Sequence, residues 1–398
     1  MAKNRLSLAR VLAQSFLEHH PDIPFYVLLA DEIDGCFDPR RERYQLIPFS
    51  DLRIPHRERF RFHYAQQPLS YATTPFLLEH LLDRGFERVL FFKQESLVLG
   101  DHSEVLELLT RHPIVMTPHL LAPLAGPDRA ARELNILQSG VFNVGLLGVA
   151  APDAGTPFLK WWQDRVYAHC AHAVADGMHY EQRWLDLVPT FFPAAHLLRD
   201  PAFNVAHWNL PDRSIDVRGR DVLVEGRPGR LFRFSGYDPD VPGLPTRYSN
   251  RLTWENVGPA RMVFERYRQA LDDHGFQETR HWPYAYNTFD NGVTIPEFVR
   301  QLYRRSGDSV ARFGDPRRTS PGLETGSVSY YHWLNEPVDR MSSAVTRLWH
   351  AVYQARADVQ KAFPDVPGAD EAHFLAWTVT SGLREHDIPD AFVTRAGS

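Results

Sequence analysis

The residues of this chain that can do chemistry stand at the ends of apolar runs. Arg88-Val-Leu-Phe-Phe leads into Lys93-Gln94-Glu95, the run from Phe25 to Ala30 ends at Asp31, and Gly140-Val-Phe leads into Asn143-Val-Gly145. The basic residues are arginines apart from Lys3, Lys93, Lys160 and Lys361, so a lysine closing an apolar run carries information. Such a lysine offers a compact positive charge to an anion. Glu181-Gln182 follow the loop 176–179 and open an apolar helical run. A carboxylate there serves as a general base or simply complements the positive end of a helix. Ser235-Gly236, two residues after Arg233, present a hydroxyl, a backbone N–H and room for close approach to phosphate. Asp238 and Asp240 sit among prolines and read as turn residues. His169, His172 and His179 have no partners at zinc spacing, and no phosphate-binding Walker loop, G-x-S-x-G elbow or Rossmann glycine fingerprint occurs.

Apolar periodicity supplies the elements that must hold these groups. Leu6, Leu8, Ala9, Val11, Leu12 and Phe16 predict a helix, followed by an extended run over 25–31. The pair repeats as a helix over 75–84, a stop at Gly85 and a strand over 88–95. Strands at 114–116 and 140–147 and a helix over 156–169 complete an α/β pattern, for which parallel strands buried on both faces are expected. In such sheets ligands bind at the carboxyl ends of strands, where Asp31, Lys93, Glu95 and Asn143 fall. Trp161 and Trp162 are neighbours on a helix and cannot share a face, so they predict core plus interface rather than a stacking platform. Beyond residue 240, Pro- and Gly-rich loops separate amphipathic helices over 260–272, 295–305, 341–359 and 373–385. The expected division is a sheet domain over 1–240 and a mainly helical accessory region over 241–398.

Of the 398 residues 43% are hydrophobic, enough for a large core, and this excludes a disordered or fibrous chain. The formal charge of −5 provides no general field for nucleic acid or an anionic membrane, so an anion must be met locally. Two cysteines make no disulfide framework, no run is long enough to span a membrane, and the start lacks the apolar core of a signal peptide. A cytoplasmic location is expected.

Five segments carry a resemblance. LLEHLLDRGFERVLFFKQESLVLGD (77–101) resembles the helix, strand and acidic turn of GT-A fold glycosyltransferases, especially family eight and its bacterial relatives. QSGVFNVGLL (138–147) is similar to the N-x-G strand of that family, MHYEQRWLDLVP (178–189) to its Asp-Gln helix start, FNVAHWNL (203–210) to its Tyr-Asn segment, and RLFRFSGYDPD (230–240) to its H-F-x-G element. The resemblance spans roughly residues 6–240. It implies a GT-A-like (Rossmann-like) nucleotide-diphospho-sugar transferase sheet, and transfer of a sugar from a nucleotide-diphosphate donor, most often a UDP-sugar, to a hydroxyl acceptor. Acceptors in such proteins include saccharides, natural products, lipids and proteins. The resemblance further implies Asn143, with Gly145 and Gln138, near the donor sugar, and Gln182 beneath its anomeric carbon as nucleophile or stabilising dipole. Glu181 would orient hydroxyls or act as a base, Asp31 would contact the nucleoside, and Trp208 and Asn209 would lie near the donor pocket. Retention of configuration is implied by the same likeness.

The departures from the family pattern are chemical. Where relatives carry two aspartates and a histidine that hold Mn²⁺ or Mg²⁺, this chain has Lys93-Gln94-Glu95 and Arg233. Lysine and arginine have no lone pair to give a metal, so Glu95 alone remains as a ligand. Both replacements bring positive charge, and the expectation is a metal-independent clamp in which Lys93 and Arg233 stabilise the departing diphosphate. No cofactor is expected, a divalent ion being disfavoured. The alternative is a catalytically silent relative that binds or scaffolds. The family also begins with a strand before the first helix, whereas only Met1-Ala2-Lys3 precede Asn4 here. Some other segment is therefore expected to fill that place in the sheet.

Overall fold

The apolar stripe of Leu6, Leu8, Ala9, Val11, Leu12 and Phe16 winds into helix α1 (Leu6–His19), which buries all six of these side chains. The structure, a computed structural model, describes residues 1–151, 155–241, 243–322, 328–339 and 343–393. The chain returns as strand β1 (Tyr26–Leu29), which pairs in parallel with β2 (Gln45–Pro48). Helix α2 (Thr74–Asp83) ends at Gly85, whose φ of +93° is the left-handed stop that glycine takes without strain. Strand β3 (Arg88–Phe92), a tight turn and strand β4 (Ser96–Val98) follow. After β5 (Ile114–Pro118) come α3 (Arg129–Ser139), β6 (Phe142–Ala150), α4 (Gly155–Val166) and two short strands, β7 (His196–Leu197) and β8 (Leu231–Arg233).

The fold is mixed α/β. Four strands form one sheet in the order β3-β6-β5-β7, with β6 antiparallel to both its neighbours and only β5-β7 parallel. This corrects the expectation of parallel strands. Every residue of β6 is buried, which explains its uninterrupted apolar run, but burial on both faces does not encode strand direction. Between Met116 and Thr117 the β5-β6 register jumps, so that Met116 faces Leu147 and Thr117 faces Asn143. The Thr117 hydroxyl bridges the irregularity by donating to the carbonyls of Asn143 and Leu146 at 3.1 and 3.2 Å. Such bulges re-aim side chains where pairing stops.

The compact units do not follow a single cut at residue 240. One comprises Met1–Arg53 and Ser70–Tyr284, the other Ile54–Leu69 and Ala285–Ser398. In the first, α5 (Arg261–Asp273) buries Val263, Phe264, Tyr267 and Leu271 in a cluster with Leu8, Val11, Phe232 and Phe234. The rings of Phe234 and Tyr267 stack at 3.7 Å, pinning the end of β8. In the second unit, α6 (Glu297–Arg305) carries the fully buried Arg300, whose guanidinium donates to the carbonyls of Phe62, Tyr64 and Tyr286. The expected helix over 341–359 begins outside the described residues, runs as α7 (Arg347–Ala355) and breaks at Arg356 before α8 (Ala357–Ala362). The helix expected over 373–385 starts as α9 (Glu371–Trp377). No helix among the described residues is long and apolar enough to cross a membrane.

Trp162 on α4 is fully buried, stacks on Phe158 at 5.4 Å and donates from Nε1 to the Glu181 carbonyl at 3.0 Å, whereas Trp161 is half-buried against Phe191 and Phe192. Trp162→Ala is expected to cost about 3–5 kcal/mol, combining lost packing with an orphaned carbonyl. Urea unfolding of the variant checks this, and a loss below ~1 kcal/mol would show that Trp162 does not tie the 181 turn to the core.

Candidate functional site

Three ladders bring the chemistry together. On β3 and β6, Phe92 faces Leu146, and the pairing runs one step further as the Lys93 amide donates to the Gly145 carbonyl at 3.1 Å. On β4 and β8, Arg233 faces Ser96, and the Phe234 amide donates to the Glu95 carbonyl at 2.9 Å. Val205 bridges to Phe232, and its carbonyl accepts from the Arg233 amide at 2.8 Å, which brings the 203–210 segment alongside. Lys93, Glu95, Asn143 and Arg233, up to 140 positions apart, thus converge because strand pairing leaves them no other place.

The side chains form two ion pairs, Lys93–Glu181 and Arg233–Glu95, with only Glu95 partly exposed, and two carboxamides extend the second of them. Lys93 Nζ donates to Glu181 Oε1 at 2.9 Å and lies 3.6 Å from the centre of the Tyr71 ring. Arg233 Nη2 donates to Glu95 Oε1 at 2.6 Å, and its Nη1 donates to Asn143 Oδ1. Arg233 also lies over the Trp208 ring at 5.6 Å. Asn143 is saturated. Its Oδ1 also accepts from the Gly145 amide at 2.7 Å, while Nδ2 donates to Gln182 Oε1 at 2.9 Å and to His119 Nε2 at 3.1 Å. Gln182 in turn accepts from the Val144 amide and donates to the Ser139 carbonyl. A Cβ on Gly145 would collide with the Arg233 side chain and with Asn143 Oδ1, so glycine there is what lets the guanidinium approach.

The electrostatics follow from burial. Desolvation works to raise the pKa of Glu95, yet Arg233 and Lys93 together hold it below the usual carboxylate value. Burial, with Arg233 adding to it, lowers His119 to about 3 and His207 to about 4. His119 is therefore neutral, and one tautomer fits its surroundings, with Nδ1–H toward the Val141 carbonyl at 3.3 Å and Nε2 accepting from Asn143. Several buried polar atoms here have no hydrogen-bond partner among the described residues: Glu181 Oε2, Arg233 Nε, Trp208 Nε1 and both ends of the Asn204 carboxamide. Orphaned polar atoms of this kind mark where a polar ligand would be met.

Eight of the residues singled out from sequence meet in this network: Lys93, Glu95, Asn143, Gly145, Glu181, Gln182, Trp208 and Arg233. Asn209 stands one step away, holding its own turn through the Ala206 amide and the carbonyls of His119 and Asn204. Ser235 and Gly236 continue from Arg233. The Ser235 carbonyl accepts from the Thr246 hydroxyl at 2.9 Å, and Gly236 (φ +77°) lies against Thr246 and Tyr248. Gln138 is exposed on α3. Asp31 is buried elsewhere, accepting from the Lys3 amide at 3.0 Å with Lys3 Nζ 3.5 Å away. Sequence reasoning missed Tyr71, His119, Tyr180 and Asn204. His119 was within reach of the strand-end rule, since it follows β5 directly, whereas nothing in the sequence marks Tyr71.

The donor set does not fit a divalent cation. Two of the converging charged groups, Lys93 and Arg233, are cations, and the nearby carboxylates Glu181 and Glu95 are each held by one of them. No cluster of three His, Cys, Asp or Glu among the described residues has metal-holding geometry.

No family model matches the chain. Two proteins of Bacillus subtilis (strain 168), both described as uncharacterized, are similar to it. YfnF is 27% identical over 251 residues, covering 60% of this chain and 80% of YfnF, and YfnD is 20% identical over 269 residues, covering 64% and 82%. Among solved structures, the galactosyltransferase LgtC in complex with donor and acceptor sugar analogues aligns at 16% identity and a TM-score of 0.39, covering 69% of this chain and 94% of LgtC. An active-site mutant of LgtC aligns at 15% identity and a TM-score of 0.40 over the same shares. Scores at this level carry no weight for the fold or its chemistry.

The lowered histidines predict acid sensitivity. A histidine held neutral in the fold favours the folded state above its ordinary value of 6.5, and that advantage is lost as pH falls toward the folded value of about 3 for His119. Unfolding free energies measured from pH 7 to 4 should fall with pH, and His119→Gln should flatten the slope by up to ~1.4 kcal/mol per pH unit. An unchanged slope would mean that His119 is not held neutral by the fold.

Proposed function

We propose that this protein is a nucleotide-sugar glycosyltransferase of GT-A-like fold that works without a divalent metal, with a UDP-sugar as the favoured donor and a hydroxyl compound as acceptor. One observation carries the reading. Segments that resemble the donor-binding motifs of that family, scattered over 140 residues, converge on two neighbouring sets of side chains, Lys93 with Glu181 and Arg233 with Glu95, Asn143 and Gln182. Desolvating four charges is costly, and replacing them with apolar side chains would often be neutral or stabilising, so such a network has a rationale where its charges are used.

Chemically, the leaving diphosphate gains negative charge as the anomeric bond breaks, and fixed cations stabilise it in the transition state. Lys93 and Arg233 take that role. Each is engaged by a carboxylate, Lys93 by Glu181 and Arg233 by Glu95, so a diphosphate binds by exchange: its oxygens take over N–H donors that the carboxylates hold. Glu181 then faces the substrate beside Gln182, placed to orient hydroxyls or to accept a proton. Asn143, its carboxamide taken up by its neighbours, holds Gln182 beside the sugar, and Trp208 lies against Arg233.

The engagement of both cations also favours a second reading, a binding protein whose site stays closed. Calorimetry with UDP, GDP and dTDP in a chelator separates the two. The transferase reading expects binding without added metal, weakened about tenfold or more by Lys93→Ala and by Arg233→Ala, as for loss of one charged hydrogen bond at ~1.5–3 kcal/mol. Failure of all three nucleotides to bind favours the closed reading. Exchange makes a sharper prediction: Glu181→Gln frees Lys93, so nucleotide affinity rises while sugar transfer or donor hydrolysis falls. A parallel loss of both would count against competition between Glu181 and the diphosphate.

A further inference from the structure

Each of the two inner cations is faced by one carboxylate and one aromatic ring. Arg233 has Glu95 and the Trp208 ring, whose centre lies 5.6 Å from the guanidinium carbon. Lys93 has Glu181 and the Tyr71 ring, whose centre lies 3.6 Å from Nζ. The two rings differ in what they add. Arg233 is also held by Asn143, and Trp208 meets it close to the roughly 6 Å limit of a cation–π contact. Lys93 Nζ donates to Glu181 at 2.9 Å and to no other atom among the described residues, so the Tyr71 face carries the rest of its support. The lysine side chain is 11% exposed, and a cation over a ring is worth most when water is excluded.

The ring is braced from the side of the carboxylate. Tyr180 meets Tyr71 edge-on, with ring centres 5.2 Å apart and planes at 87°, an arrangement that aromatic pairs favour. Tyr180 immediately precedes Glu181 and takes a φ of +52°. This strained residue thus both presents Glu181 to Nζ and steadies the ring on which Nζ rests.

The two partners of Lys93 behave differently toward an anion. In the proposed transfer reaction, on which this inference rests, a diphosphate oxygen takes the place of Glu181 at Nζ. A second carboxylate beside the lysine would repel that oxygen, and an aliphatic side chain would leave the ammonium unsupported once Glu181 lets go. A tyrosine ring has no net charge and turns its negative face to the cation, so it neither repels the diphosphate nor competes for the N–H donors that point away from it. We propose that Tyr71 is a positioning residue, whose ring face holds the Lys93 ammonium in place while its hydrogen bond passes from Glu181 to the diphosphate. The ring contact lasts through the exchange and the ion pair does not. It gives a flexible four-carbon side chain the fixed geometry that stabilising a developing charge requires.

Calorimetry on the full chain with UDP, GDP and dTDP in a chelator supplies the test, the tightest of the three being carried forward. Tyr71→Leu, which removes the ring face, should weaken nucleotide binding about five- to thirtyfold, and Tyr71→Phe, which keeps it, should stay within about threefold of the unaltered protein. In a Lys93→Ala background Tyr71→Leu should change affinity by less than about twofold, because no ammonium is left to hold. Equal weakening in both backgrounds means that the ring only supports the fold, and overturns the proposal. Phenylalanines of increasing fluorination at position 71 keep the ring shape while draining its face of negative character, so affinity should fall with each fluorine. Constant affinity along that series also overturns the proposal. By NMR, the upfield shift that the ring imposes on the Lys93 ε-methylene protons should survive nucleotide saturation, and its disappearance would show the lysine leaving the ring. If the unaltered protein binds none of the three nucleotides, the transfer reading falls and this inference with it. If it binds and Tyr71→Leu leaves the affinity unchanged, this inference alone falls.

Discussion

Arg233 against Glu95, with 2% of the arginine exposed, is the interaction on which the rest of the first unit's polar architecture depends. A buried guanidinium left without an anion would be strongly destabilising, so the fold must deliver a carboxylate to it, and the β4-β8 ladder does so by placing Glu95 beside the residue that faces Ser96. The other donors of the fork then need acceptors. Asn143 supplies one, which fixes the orientation of its carboxamide, and that in turn fixes Gln182 and the tautomer of His119. Gly145 is the steric condition for the whole chain of bonds, since any side chain there occupies the space of the guanidinium.

Lys93 and Glu181 repeat the arrangement with a different support. The ammonium sits on the Tyr71 ring, and that ring meets Tyr180 edge-on at 5.2 Å. The four charges sum to zero, which is how they can be buried at all. It also means that the site presents no bare cation to an anion. On the proposed reading a phosphate would compete with the carboxylates for the same N–H donors, and its several oxygens would favour it in that exchange.

Much of this was legible in the sequence, for identifiable reasons. Apolar runs of helical or extended period gave α1, β1, α2, β3 and β6 to within a few residues, and the strand-end rule led to Lys93, Glu95 and Asn143. The pairing of Lys93 with Glu181 was not legible, because it joins positions 88 apart through a turn whose course depends on Trp162 and on the backbone of Tyr180. Strand direction was lost for a similar reason: a strand buried on both faces shows the same apolar run whichever way its neighbours point. Asp31 obeyed the strand-end rule but has its own partner in Lys3, a residue that periodicity could only place in the approach to α1. The inclusion of 54–69 with the second unit was invisible because it rests on contacts such as those of Arg300 with Phe62 and Tyr64, far apart in sequence.

The local rules of protein structure are broken in one place more than elsewhere. Tyr180 and Asn204 adopt φ values of +52°, a conformation that costs side-chain-bearing residues about 1–3 kcal/mol. One immediately precedes Glu181, and the other lies in the loop alongside Arg233. The β5-β6 ladder skips register at Asn143. Buried polar atoms without partners include Glu181 Oε2, Arg233 Nε and the Asn204 carboxamide. Each departure taken alone is ordinary. Their coincidence around two neighbouring ion pairs is not what packing for stability produces, since an apolar replacement would relieve strain and desolvation together. Strain, bulge, orphaned atoms and buried charge share a cause if the set is shaped for a polar molecule that completes its hydrogen bonds.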